Sequence, residues 1–458
     1  MMAAAGVAVA AWGAGGEGEV RVISLEEGMA MAMERNWSLQ ASALSAAAAA
    51  AAGERERARL GGVSVRPVGS VEGGSGTQRR EAGMEGEWTA GTGFGVGVRA
   101  TGREWELEDG SENRRGEIRV SASQPLFREF GRLMREESAV QAGEAERRAA
   151  RTLAREKSAT ALAVAEAFEE IAYLRRQAEC ERRMAERMEK LAAIADLRER
   201  QGRAGRTEVL RMEYQRGAAE SRLADVAARI DVRTAELGDL IGLEEGERFW
   251  PADPPALVLE EIGEAAALET AMRERPDVEQ SREDAKTAER KVRIAKRSLW
   301  PDVRLTASKS FYGEGDDWGD AGALDEEEWT VGIGGSMDLN QREARMGVEQ
   351  AEAERRRAEA LATAKRRSVA QEVHTALAEE RRARRELELA ETNRRRAEER
   401  SELARALFEA GRGNADGVSD AEADALSAAL AVHGARRQAD VAAYRVLHAV
   451  GTLVPMGE

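Results

Sequence analysis

The feature that most constrains this chain is a tandem repeat that alternates long helical stretches with short strands. Leu25 to Leu39 aligns with Glu264 to Val278 at an offset of 239 residues, and Leu60 and Leu299 keep that offset. Ser24 stands where an N-cap is expected, with Glu27 three residues on, the spacing of a capping box. The spacing predicts helices over 24–60 and 264–299, each followed by strand-like runs and then a long charged helix, 128–201 and 342–410. The long helices break at Gly202 and Gly205 in the first half and at Gly411 and Gly413 in the second. A shorter helix follows each break, 206–242 and 416–451, and Gly202 to Gly242 spans the same 40 residues as Gly411 to Gly451. The first repeat is therefore 22–242 and the second 264–453, joined by a Pro-containing connector, 243–263, with Trp250-Pro251 and Asp253-Pro254-Pro255.

These lengths exclude an ordinary globule, because a helix over 128–201 would rise about 110 Å at 1.5 Å per residue. Composition agrees: 33% of residues are charged and only 4% aromatic, the bias of long helices or coiled coil. Helix 206–242 carries the packing code at Val209, Met212, Arg216, Ala219, Leu223, Val226, Ile230, Arg233, Leu237 and Leu240, alternating by three and four. Val164, Phe168, Ile171, Leu174 and Ala178 repeat those gaps in the long helix. The net charge of −15, with both signs interspersed, argues against a nucleic-acid partner. A single cysteine, Cys180, excludes an internal disulfide framework. Residues 1–21 read as a shortened signal segment, with an apolar run from Ala3 to Ala14 and small-residue triplets after it.

The strand-like runs have membrane character. Trp329, Val331, Ile333, Gly335, Met337 and Leu339 alternate with Thr330, Gly332, Gly334, Ser336 and Asp338 over 329–339. Strand 303–312 sets Val303, Leu305, Ala307 and Phe311 against Arg304, Thr306, Ser308 and Ser310; strand 116–126 sets Ile118, Val120 and Ala122 against Glu117, Arg119 and Ser121. A fourth strand is placed at 63–71. About ten residues with one apolar face fit a bilayer-spanning barrel strand. Four strands cannot close a barrel, and an open edge is not viable in lipid, so several chains must share one; three would give twelve strands. The first half holds an insertion with another alternating run, Phe94, Val96, Val98 and Ala100, within 92–101, read as an enlarged extracellular loop with its own hairpin or, alternatively, as the true first strand in place of 63–71.

No catalytic constellation is present. His374, His433 and His448 are scattered without metal-ligand spacing, and Gly332, Gly334 and Gly335 lack the Lys-Ser/Thr of a phosphate loop. Neither a cofactor nor a metal is implied, and an enzyme is the least favoured class. A soluble coiled-coil scaffold would explain the rods but not strands at matched places in both halves. A periplasmic adaptor protein would carry one helical hairpin rather than two full repeats.

Leu25-Glu26-Glu27-Gly28, Gln124-Pro125-Leu126-Phe127, Thr207-Glu208-Val209-Leu210, Arg275-Pro276-Asp277-Val278, Leu299-Trp300-Pro301-Asp302 and Phe408-Glu409-Ala410-Gly411, in this order and spacing, resemble the TolC-like outer-membrane efflux proteins over residues 22–453. The resemblance implies a mostly α chain with membrane β-strands. It implies a homotrimer with a 12-stranded barrel in the outer membrane and an α-barrel tunnel in the periplasm. It further implies docking onto a periplasmic adaptor protein and an inner-membrane pump, which would supply the energy. Gly202, Arg203, Gly205, Gly411, Arg412 and Gly413 would then lie at the adaptor contact. Asp416 and Asp420, four residues apart on one helix face, would form an acidic ring near the entrance, set against a plain reading as acids at a helix start.

Overall fold

The computed structural model describes residues 21–454 except 75–76, 107–111, 202–204, 245–246, 258, 260–261 and 411. The expected signal segment lies outside the described residues, apart from Arg21. Two compact units are present, one of residues 1–42, 153–276 and 366–458, the other of 43–152 and 277–365. Each draws segments from both sequence repeats.

In the first unit, β1 (Arg21–Ile23) pairs in parallel with β6 (Phe249–Pro251), which ties the connector to the start of the chain. Helix α1 (Leu25–Arg35) opens at Ser24, whose hydroxyl accepts from the Glu27 backbone N–H at 3.2 Å. The helix expected over 24–60 is two helices, α1 and α2 (Trp37–Gly61). Asn36 divides them: its Oδ1 accepts from Leu39 N at 3.1 Å and its Nδ2 donates to the Leu240 carbonyl at 2.9 Å. The second half breaks in the corresponding place, between α6 (Glu264–Glu274) and α7 (Pro276–Arg297), at Arg275. Arg275 stands 239 residues after Asn36, and the proline after it disfavours helical backbone there.

The helices that close each repeat end against these breaks. Helix α5 (Arg206–Ile241) stops at Gly242, left-handed at φ 73°, where a Cβ would lie 2.6 Å from both Cβ and the carbonyl oxygen of Arg35. Helix α10 (Ala415–Val450) stops at Gly451, φ 86°, where a Cβ would lie 3.1 Å from Arg275 Cγ. Gly242→Val therefore combines left-handed strain with a backbone clash and should cost about 2–3 kcal/mol. Gly451→Val carries the strain without the clash, so thermal unfolding should place Gly242→Val below Gly451→Val.

The core of this unit gathers Ile23, Leu25, Met31, Ala32, Val164, Phe168, Ile171, Leu237 and Ile241. The seam read from the sequence lies where the packing is: Val209, Met212, Ala219, Val226, Ile230 and Leu237 are buried, Leu223 and Leu240 half-buried, and Arg233 exposed. The long helices are α4 (Glu137–Arg200), preceded by the single turn α3 (Arg132–Arg135), and α9 (Arg342–Glu409), 64 and 68 residues long. Ion pairs one turn apart line their surfaces, such as Glu179 with Arg183 at 2.9 Å and Arg394 with Glu398 at 3.2 Å.

The second unit holds a six-stranded antiparallel sheet in the order β2 (Ser64–Gly74), β3 (Thr77–Thr89), β4 (Gly95–Glu106), β5 (Glu112–Pro125), β7 (Asp302–Gly315), β8 (Glu326–Ser336). This corrects two expectations. Among the described residues six strands share one sheet where four were expected, and the hairpin expected around 92–101 stands within that sheet rather than in a loop apart from it, with β4 paired along its length to β3 and β5. Strand β2 precedes it as the first strand.

Register sorts the side chains into two unlike faces. On one face, Pro67 stands opposite Met84, Met84 opposite Ala100, Val98 opposite Val120, Ala122 opposite Ala307, and Ala307 opposite Val331. Val65, Met84, Val98, Val120, Val331 and Ile333 of this face are all exposed, Ile333 to 70%. The other face is a lattice of charge. Arg66 and Arg99 flank Glu85 at 3.1 and 2.7 Å, Arg103 meets Glu81 at 3.2 Å, Arg119 meets Glu117 at 2.7 Å, and Arg115 meets Glu314 at 2.8 Å. One face thus suits lipid and the other water, the division of a membrane barrel wall. A one-turn helix, α8 (Trp318–Ala321), folds over the sheet, and Cβ atoms at Gly116 and Gly313 would strike its carbonyls at 2.4 and 2.8 Å. Among the described residues, no helix is long and apolar enough to cross a membrane.

Candidate functional site at the helical turns

The turns between α4 and α5 and between α9 and α10 are the places the sequence singles out. Gly202, Arg203 and Gly411 lie outside the described residues. Gly205 is the N-cap of α5 with extended backbone, φ −88° and ψ 150°, and a Cβ there would meet only Thr207 Oγ1 at 3.4 Å. Its glycine is thus not demanded locally. Arg412 is exposed, and its backbone N–H and that of Gly413 both donate to the Leu407 carbonyl at 2.9 Å, closing the end of α9. A Cβ on Gly413 would lie 2.9 Å from Phe408 N, so this tight cap requires glycine. Asn414 then opens α10, its side chain accepting from Gly417 N at 3.1 Å.

The two turns are tied together by residues that sequence reasoning missed. The Arg198 guanidinium, in the last turn of α4, donates to the carbonyls of Phe408 and Glu409, the latter at 3.3 Å, and lies over the Phe408 ring at 4.2 Å. Phe408 is fully buried and packs with Met184, Met188, Leu191, Met212 and Val418 beneath the turns. A guanidinium satisfying C-terminal carbonyls while stacking on an aromatic ring favours both helix end and contact. Asp416 and Asp420 are both exposed, and Asp416 is ion-paired to Arg211 of α5. The two acids therefore differ in surroundings, and Asp416 has a neutralising partner.

Deeper in the helices, carboxylates are buried among the packed side chains, Glu181 and Glu422 among them. Glu181 of α4 accepts from Arg222 Nε at 3.0 Å, and Glu422 of α10 accepts from Arg187 at 3.0 Å and from the Ser401 hydroxyl at 2.9 Å. The available signal was periodicity: Glu422 falls four residues after Val418 and three before Ala425, both buried. Burial also pushes the Glu169 carboxyl up to about 8, with Asp440 adding to the rise against Arg176 and Arg436. A carboxyl whose folded pKa exceeds its unfolded value stabilises most at low pH, and that contribution fades as pH climbs from the ordinary carboxyl range towards 8. Thermal stability should decline across this window, and Glu169→Gln should flatten the decline in a melting series from pH 5 to 9.

The histidines are dispersed. His374 Nδ1 lies 3.0 Å from Glu264, His448 Nδ1 lies 2.9 Å from the Ser158 hydroxyl, and burial lowers the pKa of His433. Among the described residues no His, Cys, Asp and Glu cluster could hold a metal ion. Cys180 is half-buried on α4, and burial raises its thiol pKa.

Residues 267–452 match the family model described as outer membrane efflux protein. No curated protein matches the chain. Among solved structures, the fold is similar to the outer-membrane channel OprN, with TM-score 0.72 and 15% identity over 93% of this chain and 89% of that one. It is also similar to the outer membrane protein VceC from Vibrio cholerae, with TM-score 0.71 and 15% identity over 93% of this chain and 96% of that one. The open state of the MtrE outer membrane channel from Neisseria gonorrhoeae gives TM-score 0.68 and 18% identity over 94% of this chain and 89% of that one.

Proposed function

We propose that this chain is the exit duct of a tripartite efflux or secretion system; the match of residues 267–452 to the outer membrane efflux protein model and the fold shared with solved outer-membrane channels support this reading. The observation that carries this is the sheet. Its one face is exposed and apolar and its other a lattice of paired Arg and Glu, in a chain otherwise built of coiled-coil helices. Such a sheet belongs in a bilayer as the wall of a water-filled barrel. One copy leaves the edges of β2 and β8 unpaired, so the wall is completed by further copies, three in a homotrimer. The protein resides in the outer membrane, with the helices forming a tunnel in the periplasm. Conduction is passive. An inner-membrane pump supplies the energy, and a periplasmic adaptor links it to the duct.

The adaptor meets the helical turns, at Gly202, Arg203 and Gly205 of the first and Gly411, Arg412 and Gly413 of the second. The closed cap at Gly413 and the Arg198–Phe408 stack support this reading, because they fix the end of α9 against the end of α4 beside the turns. Asp416 and Asp420 of three copies would put acid at the entrance, the Asp416 charge moderated by Arg211. Gly205 and Arg412 have room for larger side chains. Gly205→Trp combined with Arg412→Trp should therefore reduce export to background while heat-sensitive trimers persist in the outer-membrane fraction. Export at the unsubstituted level would remove the turns from the docking site.

A further inference from the structure

We infer that the β3–β4 hairpin is part of the barrel wall, so that each copy supplies six strands and three copies close an 18-stranded barrel through β8 of one copy and β2 of the next. This deepens the duct reading and rests on it.

Four observations place the hairpin in the wall. First, its strands are long enough: β3 has 13 residues and β4 has 12, beside 14 in each of β5 and β7. Each exceeds the 9–11 or so residues that a tilted strand needs to cross a bilayer. Second, both faces continue across it from the return as far as Ala82 and Gly102, beyond which Arg80 and Glu104 pair at 3.9 Å on the apolar side. Met84 and Trp88 on β3 and Val96 and Val98 on β4 extend the apolar face, while Glu81, Glu85, Arg99 and Arg103 extend the charged one. A hairpin standing in water would have no use for the apolar face.

Third, its return lies beside the end of β5 that leads into the helices. Gly131 N donates to the Thr92 carbonyl at 3.1 Å, and a Cβ on Gly93, whose φ is +93°, would lie 2.8 Å from Pro125 Cγ. The return thus falls at the end of the sheet where β5 leaves for the helices, as expected of a strand pair that crosses and comes back. Fourth, the opposite end is engaged too. Trp318, from the connection between β7 and β8, would meet a Cβ on Gly102 of β4 at 3.0 Å.

The edges fit a second copy of the same chain. Strands β2 and β8 are both 11 residues long, and an even number of alternating strands leaves them running in opposite directions. Placed head to tail, β8 meets the next β2 antiparallel, so the alternation continues around the ring. Six strands are too few to close alone. At a strand spacing near 4.8 Å and a tilt near 40°, 18 strands give a barrel about 36 Å across between backbones, against about 24 Å for 12. The duct would be about 1.5 times wider where it crosses the membrane.

Two measurements test this. Electron cryomicroscopy of the purified particle should resolve a ring of 18 strands about 36 Å across, and a variant lacking residues 77–106 should shrink it to 12. A 12-stranded ring in the full chain, with 77–106 outside it, would overturn the inference and leave the duct reading standing. A particle with no transmembrane ring would overturn both. In whole cells carrying Cys180→Ala, the adjacent variants Val98→Cys and Arg99→Cys should differ. A membrane-impermeant maleimide should label Arg99→Cys at least tenfold faster, through the lumen, because Val98→Cys faces lipid. Equal rapid labelling of both would mean that the hairpin stands in water and would overturn the inference.

Discussion

Phe168→Ala should lower the stability of the helical core by about 3–5 kcal/mol, the range for truncating a fully buried aromatic side chain. Phe168 is 1% exposed and sits among Ile23, Leu25, Met31, Val164 and Ile171. A Cβ on Gly28 would lie 2.8 Å from its Cε2, so the ring is pressed directly against α1. That contact joins the start of the chain to the first long helix, and the alanine variant leaves a void that the paired β1–β6 strands cannot collapse to fill. Thermal unfolding of the variant should begin at a markedly lower temperature than that of the unsubstituted protein. A shift no larger than that of an exposed control such as Leu197→Ala would mean that Phe168 is not a packing centre.

Glu422→Ala should cost about 2–3 kcal/mol, less than the removal of one partner from a fully buried pair because its arginines reach solvent. The carboxylate is itself 0% exposed, while the side chains of Arg187 and Arg405 are 45% and 32% exposed. Its removal leaves the Ser401 hydroxyl, 1% exposed, without its acceptor and leaves Arg405 Nε facing an emptied site. Asp424, two residues on, pairs with Arg400 at the surface, and Asp424→Ala should cost under about 0.5 kcal/mol. Thermal melts of the two variants, read side by side, check the ranking; equal losses would show that burial of Glu422 carries no energetic weight.

Much of the helical architecture was legible because periodicity records burial directly. Val209, Met212, Val226, Ile230 and Leu237 belong to a series spaced by three and four along α5, and all five are buried. The break at Asn36 was harder to see, since asparagine interrupts a helix only when its side chain finds caps, here Leu39 N and the Leu240 carbonyl. Its counterpart at Arg275 had a local signal in Pro276, and the offset of 239 residues would have carried that signal back to Asn36.

Strand β4 left a mark in the alternation of Val96, Val98 and Ala100, but β3 left almost none. Its sequence is rich in Arg, Glu and Gly, and its acids are neutralised by Arg66, Arg99 and Arg103 on neighbouring strands. Cross-strand pairing is invisible along a single strand, which is why the hairpin read as part of an enlarged loop rather than of the sheet. At the turns, the glycines were conspicuous, whereas Arg198 looked like any other surface arginine. Its role depends on Phe408, 210 residues away, a distance that no local pattern spans.

The central claim is that this chain forms an outer-membrane duct from several copies of itself. It is tested most directly by separating outer membranes from the soluble fraction and resolving the protein on a gel with and without heating. The account predicts that the protein stays with outer membranes after a urea wash and migrates as a trimer that collapses to the single chain on boiling. A protein that remains in the soluble fraction and runs at the same position heated or unheated would contradict it.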